Sequence, residues 1–126
     1  MNRRSFLQTT VCVPAGLFLT GSAVAQALGA LSPGNVVKFR CLGNIEGPRF
    51  LDGHTADGTV GLAPNTDASY SGTGWQVMDA GQGAVAFRCL GNIEGRRFLD
   101  GRTASGTVGL AANTGPSFTG TRWAVF

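Results

Sequence analysis

The sequence predicts an all-β protein built from two tandem four-stranded units, and three observations predict it. A 39-residue segment, Phe39 to Val77, recurs 48 positions later as Phe87 to Val125, with 29 identical positions. A fixed period of this size marks a repeat architecture in which one supersecondary unit is made twice. Inside each copy, short runs alternate apolar and polar residues with period two, the spacing of a half-buried strand, and no helical period occurs after residue 30. Glycine supplies 20 of the 126 residues, as expected where many short strands are joined by tight turns.

The elements follow in order. Val37, Phe39 and Cys41 alternate with Lys38 and Arg40, and Val85, Phe87 and Cys89 with Ala86 and Arg88, giving the first strand of each unit. This alternation predicts that both cysteines face inward. Leu42 to Gly47 is a loop. Arg49-Phe50-Leu51 is a short second strand. Asp52-Gly53 opens a turn that Asp57-Gly58 closes; Asp100-Gly101 and Ser105-Gly106 do so in the second unit, since such dipeptides tolerate the positive φ of tight turns. Thr59 to Leu62 is the third strand, with Val60 and Leu62 inward. A turn-rich stretch, Pro64 to Gly74, leads to the fourth strand, Trp75 to Met78, with Trp75 and Val77 inward and Trp123 and Val125 as their equivalents. Gly81-Gln82-Gly83 reverses the chain into the next unit. The predicted domains are residues 1–27, a signal segment with helical potential, and residues 28–126, a β domain of two repeats, 36–83 and 84–126.

Four short strands per unit, an aromatic-Leu pair in strand two, Gly-x-Val-x-Leu in strand three and a Trp opening strand four resemble one lobe of a β-trefoil, nearest in pattern to the fascin-like and ricin-B-like lobes. The resemblance covers both repeats and implies two β-trefoil-type lobes forming a small closed or partly open barrel. It implies little about activity, because trefoils host lectins, cytokines, protease inhibitors and actin-binding proteins. Two departures matter. Ricin-type lobes carry Gln-x-Trp, whereas this chain has Thr73-Gly74-Trp75 and Thr121-Arg122-Trp123. A trefoil also has three lobes and this chain two, so either the two lobes close on themselves or open strand edges associate with other chains; three chains of two lobes would supply two complete trefoils.

The first residues give an address. Arg3, Arg4, Phe6 and Leu7 resemble a twin-arginine signal, followed by an apolar run and small residues that allow cleavage after Ala25 or Ala27. A membrane anchor fits less well, because Thr9, Thr10, Pro14, Thr20 and Ser22 interrupt the run and a span needs ~20 apolar residues. The expectation is export to the periplasm or the exterior, with membrane contact only in transit. Loss of the segment removes Arg3 and Arg4 from the 10 basic residues and leaves 8 against 7 acids, a net charge of +1. No basic stripe then remains to follow a phosphate backbone, which argues against nucleic acid as a partner. Twin-arginine substrates, as the resemblance implies, fold before export in a reducing compartment, which favours Cys41 and Cys89 as packed thiols over a disulfide.

Several residues invite a chemical reading. His54, the single histidine, is a candidate general base, but its counterpart is Arg102 and no motif places a nucleophile beside it. Asp52 and Asp100, with Glu46 and Glu94, would make carboxylate pairs for glycoside hydrolysis; their symmetry argues against the unequal environments such chemistry needs. Arg49 and Arg97 are positioned to pair with Glu46 and Glu94. Asn44, Asn92, Asn65 and Asn113 are loop hydrogen-bonders and candidate ligand contacts. Tyr70 and Phe118 share one aromatic position, suited to sugar or protein stacking or to plugging the barrel end. The binding candidates are therefore Asn44, Arg49, Asp52, Asn65, Tyr70, Asn92, Arg97, Asp100, Asn113 and Phe118. No phosphate-cradle spacing, zinc spacing or other cofactor motif occurs. The expected function is a non-catalytic binding module, lectin-like by resemblance, taking a glycan or another protein. The alternative is a self-associating or protein-interaction domain, and a hydrolase is the reading with least support.

Overall fold

A computed structural model describes residues 31–126 of the chain. The signal residues Arg3, Arg4, Phe6 and Leu7 and the cleavage positions lie outside the described residues. Within Pro33–Phe126 the chain forms seven strands: β1 (Val36–Val37), β2 (Phe50–His54), β3 (Thr59–Ala63), β4 (Trp75–Gly81), β5 (Ala84–Cys89), β6 (Phe98–Arg102) and β7 (Thr107–Ala111). They make one curled antiparallel sheet, half a barrel, in the order β1-β4-β5-β6-β7-β3-β2. Short 3-10 turns at Ala68–Thr73 and Thr119–Thr121 precede the two tryptophans.

Each repeat is wired the same way internally. The hairpins β2–β3 and β6–β7 pair in matching register, Leu51 opposite Leu62 and Leu99 opposite Leu110. Their turns close on Gly58 and Gly106, whose φ values of +77° and +72° favour glycine. Val37 pairs with Trp75, and Val85 with Trp123. Arg40 bridges Phe50, and Arg88 bridges Phe98. Each indole N–H donates into strand two, Trp75 to the Leu51 carbonyl at 3.1 Å and Trp123 to that of Leu99 at 3.0 Å. Thr73 and Thr121, both fully buried, donate to the carbonyls of Tyr70 and Phe118, each at 2.8 Å. A buried hydroxyl needs such a partner.

The repeats join along one seam. Trp75, Gln76 and Val77 of β4 pair with Cys89, Arg88 and Phe87 of β5. Trp75, Val77 and Cys89 are each 0% exposed and Phe87 3%. Phe39 meets Phe87 edge to face at 5.0 Å and Trp75 at 6.3 Å, a favoured aromatic arrangement. A second, smaller join sets Thr59 opposite Gly109, with the Leu110 N–H donating to the Gly58 carbonyl.

Four expectations are corrected. The first strand of repeat one is not a ladder over Val37–Cys41, since regular pairing stops at Val37 and only the Arg40–Phe50 bridge continues it. Among the described residues its outer side has no neighbour, so Cys41 is exposed and not inward, while Cys89 is buried; both are free thiols. Asp52-Gly53 and Asp100-Gly101 are strand residues rather than turn openings. Gly53 is there because a Cβ would stand 2.6 Å from the Cys89 sulfur and 3.0 Å from the Trp75 ring. The third strands are unlike. Leu110 is 1% exposed where β7 meets the repeat-one hairpin turn, whereas Leu62, lacking such a neighbour, is 48% exposed, and Val108 47%. Last, Trp123 and Val125 do not match Trp75 and Val77. Among the described residues no strand pairs with their other side, and Trp123 is only half-buried and Val125 exposed.

Candidate functional site

The site grows out of the seam. Strand β2 carries Asp52 at its centre and His54 at its end, and the 3-10 turn Ala68–Thr73 brings Tyr70 and Ser71 alongside. The loop after β5 adds Gly91, Asn92 and Ile93 from the second repeat. Together they line a cleft of about 230 Å³. Its floor is tight, since a Cβ on Gly72 would run into the Gly53 carbonyl and the Asp52 carboxylate.

The polar groups form a chain. The buried Asp52 carboxylate lies 3.2 Å from His54 Nε2, and His54 Nδ1 lies 3.1 Å from the Thr59 hydroxyl. That hydroxyl donates to Asp57 Oδ1 at 2.7 Å. The hydrogen bonds from the Thr59 side chain and then its backbone N–H hold the Asp57 carboxyl below its ordinary value. On the other wall, Thr55 donates to the Ile93 carbonyl at 2.6 Å, and the Asn92 N–H donates to Ser71 Oγ at 3.1 Å. Beneath, the Cys89 thiol approaches the carbonyls of Gly53 and Gly72, and burial pushes its pKa up, so it stays a neutral thiol. Among the described residues, no group of three or more His, Cys, Asp or Glu is placed to hold a metal ion.

Of the sequence-derived binding candidates, the cleft brings together Asp52, Tyr70 and Asn92, with His54 beside them. The others are engaged elsewhere. Arg49 donates to the carbonyls of Cys41, Gly43 and Ile45, and Arg97 to those of Cys89, Gly91 and Ile93. Each arginine therefore holds its own loop in shape. Their ion pairs with Glu46 and Glu94, at 3.8 and 3.4 Å, are made with almost fully exposed carboxylates and contribute little. Asn65 and Asn113 close Asx turns by accepting from the N–H of Asp67 and Gly115. In repeat two, Asp100 lies 3.8 Å from Arg102 and Phe118 stands where Tyr70 does. Asn44, the equivalent of Asn92, remains in the exposed loop of repeat one.

The sequence missed Thr55 and Ser71 as wall residues. The signal for them is weak: hydroxyls at positions where repeat two also carries hydroxyls, Thr103 and Thr119. Compared with known protein families, with curated proteins and with solved structures, the chain matches none.

Proposed function

We propose that this chain is a small exported, non-catalytic binding module of two β-trefoil-type lobes that takes a polar ligand, a carbohydrate by preference, in the cleft between its repeats. The observation that carries the reading is the convergence of Asp52, His54, Tyr70 and Asn92 from two repeats on one opening. Acceptor carboxylate, amide and phenol around a shallow cleft suit the hydroxyls and the apolar ring face of a sugar. Export by the twin-arginine route rests on Arg3, Arg4, Phe6 and Leu7 in the sequence. A hydrolase has less support: both ring nitrogens of His54 are taken up by Asp52 and Thr59, the Ser71 hydroxyl oxygen accepts from the Asn92 N–H rather than bonding His54, and the Cys89 thiol is buried under glycines.

A glycan array probed with the full chain, followed by calorimetry on any sugar retained, tests the reading. Asn92→Ala and Tyr70→Ala should each weaken binding by about tenfold, the loss of one hydrogen bond or one stacking contact. Absence of any glycan binding, or binding untouched by both substitutions, refutes it.

A further inference from the structure

The seam between the repeats is made from two halves, and each chain carries one more copy of both. The first half is strand four, Trp75–Val77 in repeat one, recurring as Trp123–Val125. The second is strand one, Phe87–Cys89 in repeat two, recurring as Phe39–Cys41. Trp, Val, Phe, Arg and Cys are the same in both copies, and only Gln76 is changed, to Ala124. In the seam these halves cover each other. At the two ends of the repeat array they lie open among the described residues: Cys41 is exposed, Leu42 is 82% exposed, Val125 44% and Phe126 114%. An apolar hollow of about 340 Å³ runs along them, lined by Phe39, Phe87, Leu99, Trp123 and Val125. Open apolar strand edges are templates for pairing.

We propose that two copies of this chain pair head to tail through these edges, Trp123–Val125 of one copy against Phe39–Cys41 of the other, in the register that joins Trp75–Val77 to Phe87–Cys89. Trp123 then lies opposite Cys41, Ala124 opposite Arg40 and Val125 opposite Phe39. The occupant is a second copy because most of the complementary surface is already specified in the chain. Gly101 stands where Gly53 leaves room for the Cys89 sulfur; a Cβ on it would meet the Trp123 ring at 3.2 Å and the Gly120 carbonyl at 3.8 Å, with no sulfur among its nearest atoms. Gly120 repeats Gly72, Thr103 repeats Thr55, and Ile45 repeats Ile93. One contact is not repeated: Arg96, which donates to the Asp57 carbonyl at 2.8 Å, is Pro48 in repeat one. Each chain offers one edge of each kind and half a barrel, so a twofold dimer with two identical seams is the smallest assembly that leaves neither edge open. The dimer also completes a site, since Asn44 of the second copy would reach the Asp100–Phe118 region as Asn92 reaches Asp52 and Tyr70. This goes beyond the glycan reading and does not depend on it.

Cross-linking tests the register. In the full chain carrying Cys12→Ser and Cys41→Ser, an Arg40→Cys chain is mixed with an Ala124→Cys chain and oxidised with copper phenanthroline. Residues directly opposite on paired strands are within disulfide reach, whereas residues offset by two are beyond it. A disulfide-linked heterodimer is therefore expected to form at least ~10 times faster than with a Lys38→Cys chain in place of Arg40→Cys. Sedimentation of the unmodified chain is expected to give twice the monomer mass. A monomer mass overturns the proposal, as does cross-linking no faster than that of the offset pair. A disulfide formed within one chain that carries both Arg40→Cys and Ala124→Cys overturns it as well, because the two repeats would then close on themselves.

Discussion

Repeat one and repeat two share most of their residues, and the hairpin register and the indole hydrogen bond recur inside each. What lies beside each repeat does not recur. Trp75 has Val37 on one side and Cys89 on the other and is fully buried; Trp123 has Val85 on one side and no strand partner on the other among the described residues, and is half-buried. Cys89 is sealed beneath Gly53 and Gly72, while Cys41 is exposed. Identical side chains thus acquire different energetics from their neighbours alone. In a repeat array the intrinsic unit and the interface contribute separately.

The largest effect that can break this comparison is on the tryptophans. Trp75→Ala should cost about 3–5 kcal/mol, as for a fully buried large aromatic. Trp123→Ala should cost about 1–3 kcal/mol, because part of its surface is already in water. Urea unfolding at low protein concentration measures both, and equal losses would show that the seam adds nothing. Next come the glycines beneath those rings. Gly53→Ala forces a methyl against a sulfur and an indole with no room to move, at about 1–3 kcal/mol. Gly101→Ala meets a half-exposed ring that can shift, and should cost under ~1 kcal/mol. A similar penalty for both, by the same method, would place Trp123 as firmly as Trp75.

Smaller again is the hydroxyl across the seam. Thr55 is 4% exposed and donates to Ile93 in the other repeat, so Thr55→Ala should lose about 1–2 kcal/mol. Thr103→Ala, at an exposed position, should be within ~0.5 kcal/mol of wild type. The smallest contrast is between Asp57 and Ser105, which occupy the same hairpin turn. Because the folded Asp57 carboxyl is held below its ordinary 3.8, its contribution is present above that pH and is lost as pH falls through the lower folded value. Asp57→Asn should therefore flatten the acid side of the stability–pH curve slightly, and Ser105→Ala should leave its shape unchanged.

The sequence carried whatever a single repeat decides. The hairpins, the Gly58 and Gly106 turns and the Arg–Glu pairs all depend on contacts within one unit, and alternation and turn chemistry make them legible. Which copy of a residue is buried depends on whether another repeat lies beside it, and near-identical segments cannot encode that locally. Hence Cys41 and Cys89, or Leu62 and Leu110, read alike and differ in the structure. The same holds for the cleft. Asp52, Tyr70 and Asn92 were visible as polar or aromatic loop types, but their meeting across the seam was not. Thr55 and Ser71 were hidden because their role is a hydrogen bond to the other repeat's backbone. Arg49 and Arg97 looked like a ligand rim because nothing in the sequence shows three carbonyls turned toward each guanidinium.

The difference between the repeats is tested most directly by thiol labelling of the full chain carrying Cys12→Ser, at a dilution where chains are separate. Cys41 should react with a small disulfide reagent at least ~100 times faster than Cys89, whose thiol is buried and held neutral and becomes accessible only as the domain opens. Mass mapping of the two sites gives each rate. Slow Cys89 labelling that tracks unfolding is the predicted result; equal rates at Cys41 and Cys89 would contradict the account.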